Sequence, residues 1–301
     1  MSFLLSLALL GQVGAAPPLN LPTGLEDRKP RHPAAAAAPA PDVPKARIPL
    51  EECMSAVHSD PPGAVDMAEA WVQQTKGTAA APAQFCLGSA HAALDHFDEA
   101  ETAFLAGRDL AAATDHRLRA QLGAMAGTMA LAQGESARAL TALDQAHADA
   151  LAAGDTQLGG EIAVDCSRAL VALKREGEAG EALAEARTAT AKNPEAWLLS
   201  ATLSRREGKL AEAQAQIEQA AQLDPVDPAI GLEAGVIAVL SGRDAAARKS
   251  WESVVAAAPD SDAAKTAKDY LAQLGVNPAP APAPAPAAAA QPAPQSATSG
   301  R

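Results

Sequence analysis

The residue types that most often carry chemistry are sparse in this chain and poorly spaced for it. His91 and His96 are the closest pair of histidines, and they lie five residues apart, whereas two metal ligands on one helix face are usually three or four residues apart. The sequence contains no Cys-x-x-Cys motif, no Gly-x-Ser-x-Gly motif, no phosphate-binding glycine loop and no dinucleotide fingerprint. We therefore predict that the protein is not an enzyme and binds no metal or cofactor.

The spacing Gly-x-x-x-x-Ala recurs through the chain and predicts the elements that would position any functional side chain. Its copies are Gly134/Ala139, Gly177/Ala182, Gly208/Ala213 and Gly242/Ala247, with Asp95/Ala100 as a fifth copy that lacks the glycine. Glycine can take the left-handed conformation that ends a helix, and an alanine early in the next helix lets two helices approach closely. The last two copies are 34 residues apart, which is the period of a two-helix repeat.

The residues that flank each copy support a repeat of two packed helices. Most of the alanines are followed, four and seven residues later, by apolar or small side chains, which gives the second helix one packing face. Proline cannot continue a helix, and it closes three of the units at Pro194, Pro225 and Pro259. No segment alternates apolar and polar residues between hairpin turns, so we predict an all-α fold.

These positions resemble the tetratricopeptide repeat (TPR) family, whose pattern places Trp, Leu-Gly and Tyr on the first helix, Ala and an aromatic residue on the second, and Pro at the end. The first unit matches at Leu87, Gly88, Phe97, Ala100 and Phe104, and the fourth at Trp197, Leu210, Ala213, Ile217, Ala220 and Pro225. The tyrosine position is filled instead by His91, Ala130, Leu173, Ser204 and Ala238. The resemblance implies a right-handed α-solenoid of about five TPR helix pairs with N-terminal and C-terminal capping helices.

The repeat register divides the central part of the chain into successive segments. The five TPR-like repeats are expected at about 81–114, 120–153, 163–193, 194–227 and 228–260. Residues 48–80 are interpreted as an N-terminal helical cap or divergent repeat and residues 261–275 as a capping helix, because the ends of a solenoid need a cover.

Both ends of the chain differ in composition from the repeats. Residues 1–15 combine an apolar stretch with a small-residue cleavage site and are interpreted as a signal peptide. The alternative is an uncleaved anchor, although the 11 residues 3–13 fall short of the ~20 that span a bilayer. Residues 16–47 are expected to be a disordered Pro/Ala linker and residues 276–301 a disordered Ala/Pro-rich tail. We expect a periplasmic or secreted protein with no stable membrane span after cleavage.

Three cysteines are present, and export would place them in an oxidising compartment. Cys166 occupies the slot that Trp197 fills one repeat later, so we expect a buried thiol. Cys53 lies on a helix expected to pack against the first repeat, and Cys86 lies on the first helix of that repeat. We hypothesise a disulfide between Cys53 and Cys86, which would close a loop of about 33 residues and stabilise the fold by ~3 kcal/mol.

Charge and the repeat resemblance together narrow the class of partner. The chain has 24 Lys and Arg against 36 Asp and Glu, a net charge of -12, which disfavours nucleic acids and anionic membranes. The resemblance implies a protein or peptide partner on the concave face that the first helices line. The candidate residues of this inner face are Phe85, Ser89, Met125, Thr128, Arg168, Lys174, Arg175, Leu198, Thr202, Arg205 and Arg206.

Five of these candidates are basic and are expected on the first helices of the third and fourth repeats: Arg168, Lys174, Arg175, Arg205 and Arg206. They favour a groove for an extended peptide with acidic or terminal carboxylate groups, the alternative being that they complement helix dipoles. We predict an exported, non-catalytic interaction scaffold for cell-envelope assembly or secretion. The alternative hypothesis is a permanent structural accessory subunit of an envelope complex.

Overall fold

A computed structural model of the protein describes residues 50–275, which form thirteen α-helices and no strand within that range. The helices are α1 (Leu50–Ser59), α2 (Pro61–Gln74), α3 (Ala81–Ala93), α4 (Phe97–Leu110), α5 (His116–Ala132), α6 (Ser136–Ala152), α7 (Thr156–Ala172), α8 (Glu176–Ala189), α9 (Pro194–Arg206), α10 (Leu210–Leu223), α11 (Pro228–Leu240), α12 (Asp244–Ala257) and α13 (Asp262–Gln273). The predicted signal peptide, linker and tail lie outside the described residues.

The described residues form two compact units, the first ending at Leu203 and the second beginning at Ser204, both within α9. In the first unit, each helix packs against the next one along the chain from α1 to α8. In the second unit, α10 packs against α11, α11 against α12 and α12 against α13. Consecutive helix pairs are the all-α solenoid architecture that the repeats predict.

Left-handed backbone conformations mark the turns inside the helix pairs and correct one of the predicted copies. Gly134, Gly208 and Gly242 have φ angles of 77°, 77° and 71°, as the spacing predicts. In the third pair, however, the left-handed residue is Lys174 with φ 60°, and Gly177 lies in the first turn of α8. The third copy is therefore Lys174/Ala179 rather than Gly177/Ala182, because a search for glycine passes over a turn that a lysine makes.

The corrected register makes the packing of the five pairs uniform. The alanine five residues after each left-handed residue is fully buried in every pair: Ala100, Ala139, Ala179, Ala213 and Ala247. The residue four positions later is a large buried side chain: Phe104, Leu143, Leu183, Ile217 and Trp251. In the third pair this is Leu183, where the uncorrected register gave Ala186. Each second helix thus contributes at least one large side chain to a core in which alanine is the most frequent residue.

Small residues on the first helices make room for these large side chains. Twelve positions before the buried alanines lie Gly88, Gly127, Ser167, Ala201 and Gly235. A Cβ added to Gly127 would lie 2.5 Å from Leu143, and one added to Gly88 would lie 2.6 Å from Phe104. A glycine or another small residue at this position therefore sets the close approach of the two helices.

Two boundaries differ from the sequence expectation. The first helices α5 and α7 each have 17 residues and begin at His116 and Thr156, ahead of the expected starts of the second and third repeats at 120 and 163. Asp115 and Asp155 accept hydrogen bonds from the backbone N–H groups of Leu118 and Leu158 at 3.2 and 3.1 Å. These N-caps begin both helices one or more turns early.

The cysteines lie in two different environments. Cys53 on α1 and Cys86 on α3 are joined by a disulfide, with their Cα atoms 6.2 Å apart, in an apolar cluster with Trp71. Cys166 is a buried free thiol on α7. It does not share the slot of Trp197, because the corrected register places Ala163 there. Burial, assisted by nearby carboxylates, raises the pKa of the Cys166 thiol to about 12.

In the second unit, the last helix packs against the preceding pair. The rings of Trp251 on α12 and Tyr270 on α13 lie 5.0 Å apart, and the indole N–H of Trp251 donates a hydrogen bond to the backbone oxygen of Leu232 at 3.1 Å. Ala264 and Ala267 on α13 are fully buried. The helix therefore covers apolar surface that α11 and α12 would otherwise expose.

Candidate binding surface

Four of the predicted inner-face residues occupy equivalent positions on the first helices of the first unit. Ser89, Thr128, Arg168 and Thr202 each lie eleven residues before the buried alanine of their pair and are half-buried. Arg168 occupies this position only in the corrected register, in which Ala179 is the buried alanine of the third pair. We define the first-helix face as the surface formed by these four residues and by the half-buried side chains one turn earlier on α3, α5, α7 and α9.

Three of these four side chains are hydroxyls that are held by their own helices. Ser89, Thr128 and Thr202 donate hydrogen bonds of 2.9, 3.0 and 3.0 Å to the carbonyl oxygens of Phe85, Ala124 and Leu198. Their rotamers are thereby fixed, and each hydroxyl oxygen keeps a lone pair that can accept a hydrogen bond. The first-helix face thus presents a row of small oriented polar groups.

Arg168 is the charged member of the row, and two carboxylates hold it. Its guanidinium donates to Asp165 on the same helix and to Glu195 on α9. The Thr128 hydroxyl on α5 also lies 3.3 Å from Asp165, so its single proton is shared between Asp165 and the Ala124 carbonyl oxygen. The chain of contacts ties α5, α7 and α9 together across the first-helix face.

The electrostatics of this ion pair reflect its partial burial. Burial raises the pKa of the Asp165 carboxyl above its ordinary value, although Arg168 acts in the opposite direction. Burial would lower the pKa of Arg168, but Glu195 and Asp165 outweigh it and the pKa is raised. Arg168 therefore stays charged, and both of its terminal nitrogens are committed to carboxylates.

The apolar members of the predicted set also lie on this face. Phe85 on α3 is half-buried, with its ring 6.4 Å from that of Phe104. Met125 lies one turn before Thr128 and packs partly against the core of the first unit. Leu198 lies one turn before Thr202 and is half-buried. All three side chains are therefore partly accessible to solvent.

Two predicted residues lie elsewhere, which corrects the expected basic groove. Lys174 and Arg175 are in the turn between α7 and α8 and not on a first helix. Arg175 donates through Nε to Glu178 at 2.7 Å. The misplacement follows from the three-residue error in the register of this repeat.

Arg205 and Arg206 lie in the last turn of α9, within the second unit. The Nε atom of Arg205 donates to Glu233 on α11 at 2.6 Å, and the side chain of Glu233 is only 7% exposed. Burial raises the pKa of the nearby Tyr270 hydroxyl, while the charge of Arg205 opposes that change. Arg206 is exposed. Arg205 is thus paired with a buried carboxylate rather than left as an uncompensated positive charge.

The sequence reasoning missed a buried ion network in the first unit. Asp149 on α6 accepts from Arg108 on α4 at 2.7 Å and from Arg119 on α5 at 3.3 Å, and His116 Nδ1 lies 3.3 Å from its carboxylate. Burial acts to raise the pKa of Asp149, but hydrogen bonds from His116 and Arg108 and the charge of Arg119 hold the pKa below its ordinary value.

The repeat register itself contains a signal for this network. The positions equivalent to Asp149 in the other pairs are apolar: Leu110, Ala189, Leu223 and Ala257. An acidic residue at a position that is otherwise apolar indicates a buried partner of opposite charge. The partners themselves come from other helices, so the register alone does not name them.

Between residues 50 and 275, no three His, Cys, Asp or Glu side chains are arranged to bind a metal ion. In the same part of the chain, no helix has both the length and the apolar character needed to cross a membrane.

Solved structures with the same arrangement of helices belong to repeat proteins. PilF from Pseudomonas aeruginosa superposes with a TM-score of 0.59 at 14% identity, over 73% of this chain and 95% of its own. PilW, a type IV pilus biogenesis factor, gives a TM-score of 0.60 at 16% identity, over 72% of this chain and 95% of its own. The fold is that of tetratricopeptide repeat proteins.

The likeness is confined to structure. No protein-family model matches the chain, and no curated protein matches it. At such low identity a shared TPR fold does not carry a shared partner. The partner of this chain therefore depends on the residues of its own surface.

Proposed function

We propose that the protein is a non-catalytic interaction scaffold that binds a protein or peptide partner on the first-helix face. One observation carries the proposal: consecutive first helices place half-buried polar and apolar side chains at equivalent positions, from Ser89 on α3 to Thr202 on α9. An extended chain can bind along such a row, because hydroxyls can bond its backbone while Phe85 and Met125 contact its side chains.

Export to the periplasm or the cell surface forms part of the proposal. The apolar N-terminus with its small-residue cleavage site supports it. The juxtaposition of Cys53 and Cys86 supports it as well, because a disulfide persists in an oxidising compartment. PilW, which has a similar fold, is a pilus biogenesis factor, and a role in envelope assembly or secretion is consistent with export.

Cross-linking and affinity capture from intact cells would test the scaffold function. Truncating Met125 and Leu198 to alanine removes apolar contacts from the first-helix face, and we expect capture of the partner to fall about tenfold or more, the scale of two interface contacts. The control is Leu151→Ala, which removes a side chain that is 55% exposed on α6. Equal capture by both variants would contradict the proposed surface.

Light scattering would separate the scaffold from a permanent subunit. A scaffold that recruits its partner reversibly is expected to purify as a stable species without it. A chain that purifies only together with another protein would favour the accessory-subunit alternative.

A further inference from the structure

The sign of the charge on the first-helix face is opposite to the one that the sequence predicts. Glu161, Asp165 and Arg168 lie at spacings of four and three residues on α7 and therefore share one side of the helix. Glu195 approaches the same arginine from α9. Two carboxylates, Asp165 and Glu195, thus pair with one guanidinium. Glu161 adds a third negative charge one turn before Asp165, so the surface retains an excess of negative charge.

The excess carboxylates keep acceptor positions available. Glu161 accepts only from the side-chain amide of Gln157, at 3.1 Å, among its hydrogen bonds within the described residues. Its side chain is half-buried, as are those of Asp165 and Glu195. A carboxylate offers about four lone-pair positions, so an incoming ammonium or guanidinium group can bind without displacing Arg168.

The chain itself contains a segment of matching charge. Residues 28–47 include five Lys and Arg against one aspartate, whereas residues 50–275 contain 18 Lys and Arg against 33 Asp and Glu. The same segment has five prolines, which favour the extended conformation that a row of first helices accepts. Charge and backbone preference both suit the first-helix face.

The length of the segment is sufficient for binding within one chain. Twenty residues reach at most ~70 Å when extended. Neighbouring packed helices are separated by about 10 Å. Because α4 packs between α3 and α5 while α5 packs directly against α7, the first helices from α3 to α9 cover at most roughly 40 Å. A segment that joins the first unit at α1 can therefore lie along this face.

We propose that residues 28–47 of this chain bind to the first-helix face of the first unit, with Lys and Arg side chains against Glu161, Asp165 and Glu195. The segment then competes with the external partner and acts as an internal inhibitor of binding. The inference rests on the proposed function only in treating this face as the binding surface.

Zero-length carbodiimide cross-linking of the full chain tests this contact directly, because it joins a lysine amine to a carboxylate that it touches. The expected product is an amide between Lys29 and Glu161 or Glu195, located by peptide mapping of the monomer. In 0.5 M salt the yield should fall about fivefold or more, because exposed charges are then screened within a few ångströms. The variant Glu161→Gln keeps the shape of the site and should reduce the yield at low salt.

Three results would overturn the proposal. One is cross-linking of Lys29 to Glu181, an exposed residue of α8, as readily as to Glu161 and Glu195. Another is the absence of any Lys29 product. The third comes from mixing isotopically light and heavy chains: products that join only different chains would identify a second copy as the occupant.

Partner capture distinguishes a failure of this inference from a failure of the proposed function. Replacing Arg28, Lys29 and Arg31 by serine removes the competitor, and capture should rise roughly three- to tenfold, as expected when a binding-competent state becomes fully populated. If the cross-links are absent but truncation of Met125 and Leu198 still lowers capture, the internal contact is wrong and the scaffold function stands. If the cross-links form but truncation of Met125 and Leu198 does not lower capture, the internal contact stands and the proposed binding of a partner on this face is wrong.

Discussion

Asp149 offers the sharpest test of how the first unit is held together. The side chains of Arg108 and Asp149 are each only 12% exposed, and that of Arg119 is 21% exposed. In Asp149→Asn, two guanidinium groups remain partly buried with no compensating charge between them. Removing one partner of a buried ion pair typically lowers the free energy of unfolding by 3–5 kcal/mol. The amide still accepts one hydrogen bond, so we expect a loss of about 3 kcal/mol.

Urea denaturation followed by circular dichroism would measure this loss. With a slope of about 2–3 kcal/mol/M for a unit of this size, the transition of the first unit should shift down by about 1–1.5 M. The matched control is Asp109→Asn. Asp109 is 79% exposed and lies 3.8 Å from the same Arg108, so its removal should change the free energy of unfolding by less than about 0.5 kcal/mol.

The pH dependence of the free energy of unfolding provides a second test of the same prediction. The pKa of Asp149 is lowered in the folded protein, so the folded state favours the ionised carboxylate. Its contribution to stability is fully present above the ordinary aspartate pKa and is lost as the pH falls through the lowered folded value. The gap between wild type and Asp149→Asn should therefore narrow in strong acid. Equal stabilities at pH 7, or a gap that does not change with pH, would refute the reasoning.

The remaining predictions concern the turns and the disulfide. Gly177→Ala should raise the free energy of unfolding by about 0.5–1 kcal/mol, because the new methyl meets no atom within 4 Å and alanine favours the helix. Thermal or urea unfolding would measure this change. Gly134→Ala, at a left-handed turn, should instead lower the free energy of unfolding by about 1 kcal/mol, and an equal decrease in Gly177→Ala would support the uncorrected register. Lys174→Gly should stabilise by about 0.5–1 kcal/mol, since glycine adopts a φ of 60° without a Cβ penalty; unchanged unfolding would contradict this. Replacing Cys53 and Cys86 together by alanine should lower stability by ~3 kcal/mol, and no difference between the variant and the oxidised wild type would show that the thiols are unpaired in the isolated protein.

Residue spacing in the sequence was sufficient to predict the fold, but it placed only some of the candidate surface residues correctly. The left-handed turns at Gly134, Gly208 and Gly242 could be predicted, because that backbone conformation selects glycine. The turn at Lys174 could not, because other residues adopt the conformation at a modest energetic penalty that tertiary packing offsets. The resulting error of three residues misplaced the inner-face positions of one repeat.

The ion pairs illustrate a second limit. Arg168 is correctly expected on a first helix, but its partner Glu195 is 27 residues away in the chain and comes close only when α7 and α9 pack. Arg205 and Glu233 are related in the same way across 28 residues. A sequence shows that a basic residue is present, whereas the structure decides whether its charge is available to a ligand.

The burial of Cys166 also bears on how the chain would acquire its covalent bond. Three cysteines allow three pairings, but in the folded protein a thiol with a pKa of about 12 is ionised in only about one molecule in 10⁵ at pH 7, and thiol exchange needs the thiolate. Cys53 and Cys86 also precede Cys166 along the chain, so the proposed export, if N-terminus first, would bring these two to an oxidant before Cys166. Once the fold has formed, the buried Cys166 thiol therefore has little capacity to attack the Cys53–Cys86 disulfide, and this bond should keep its pairing.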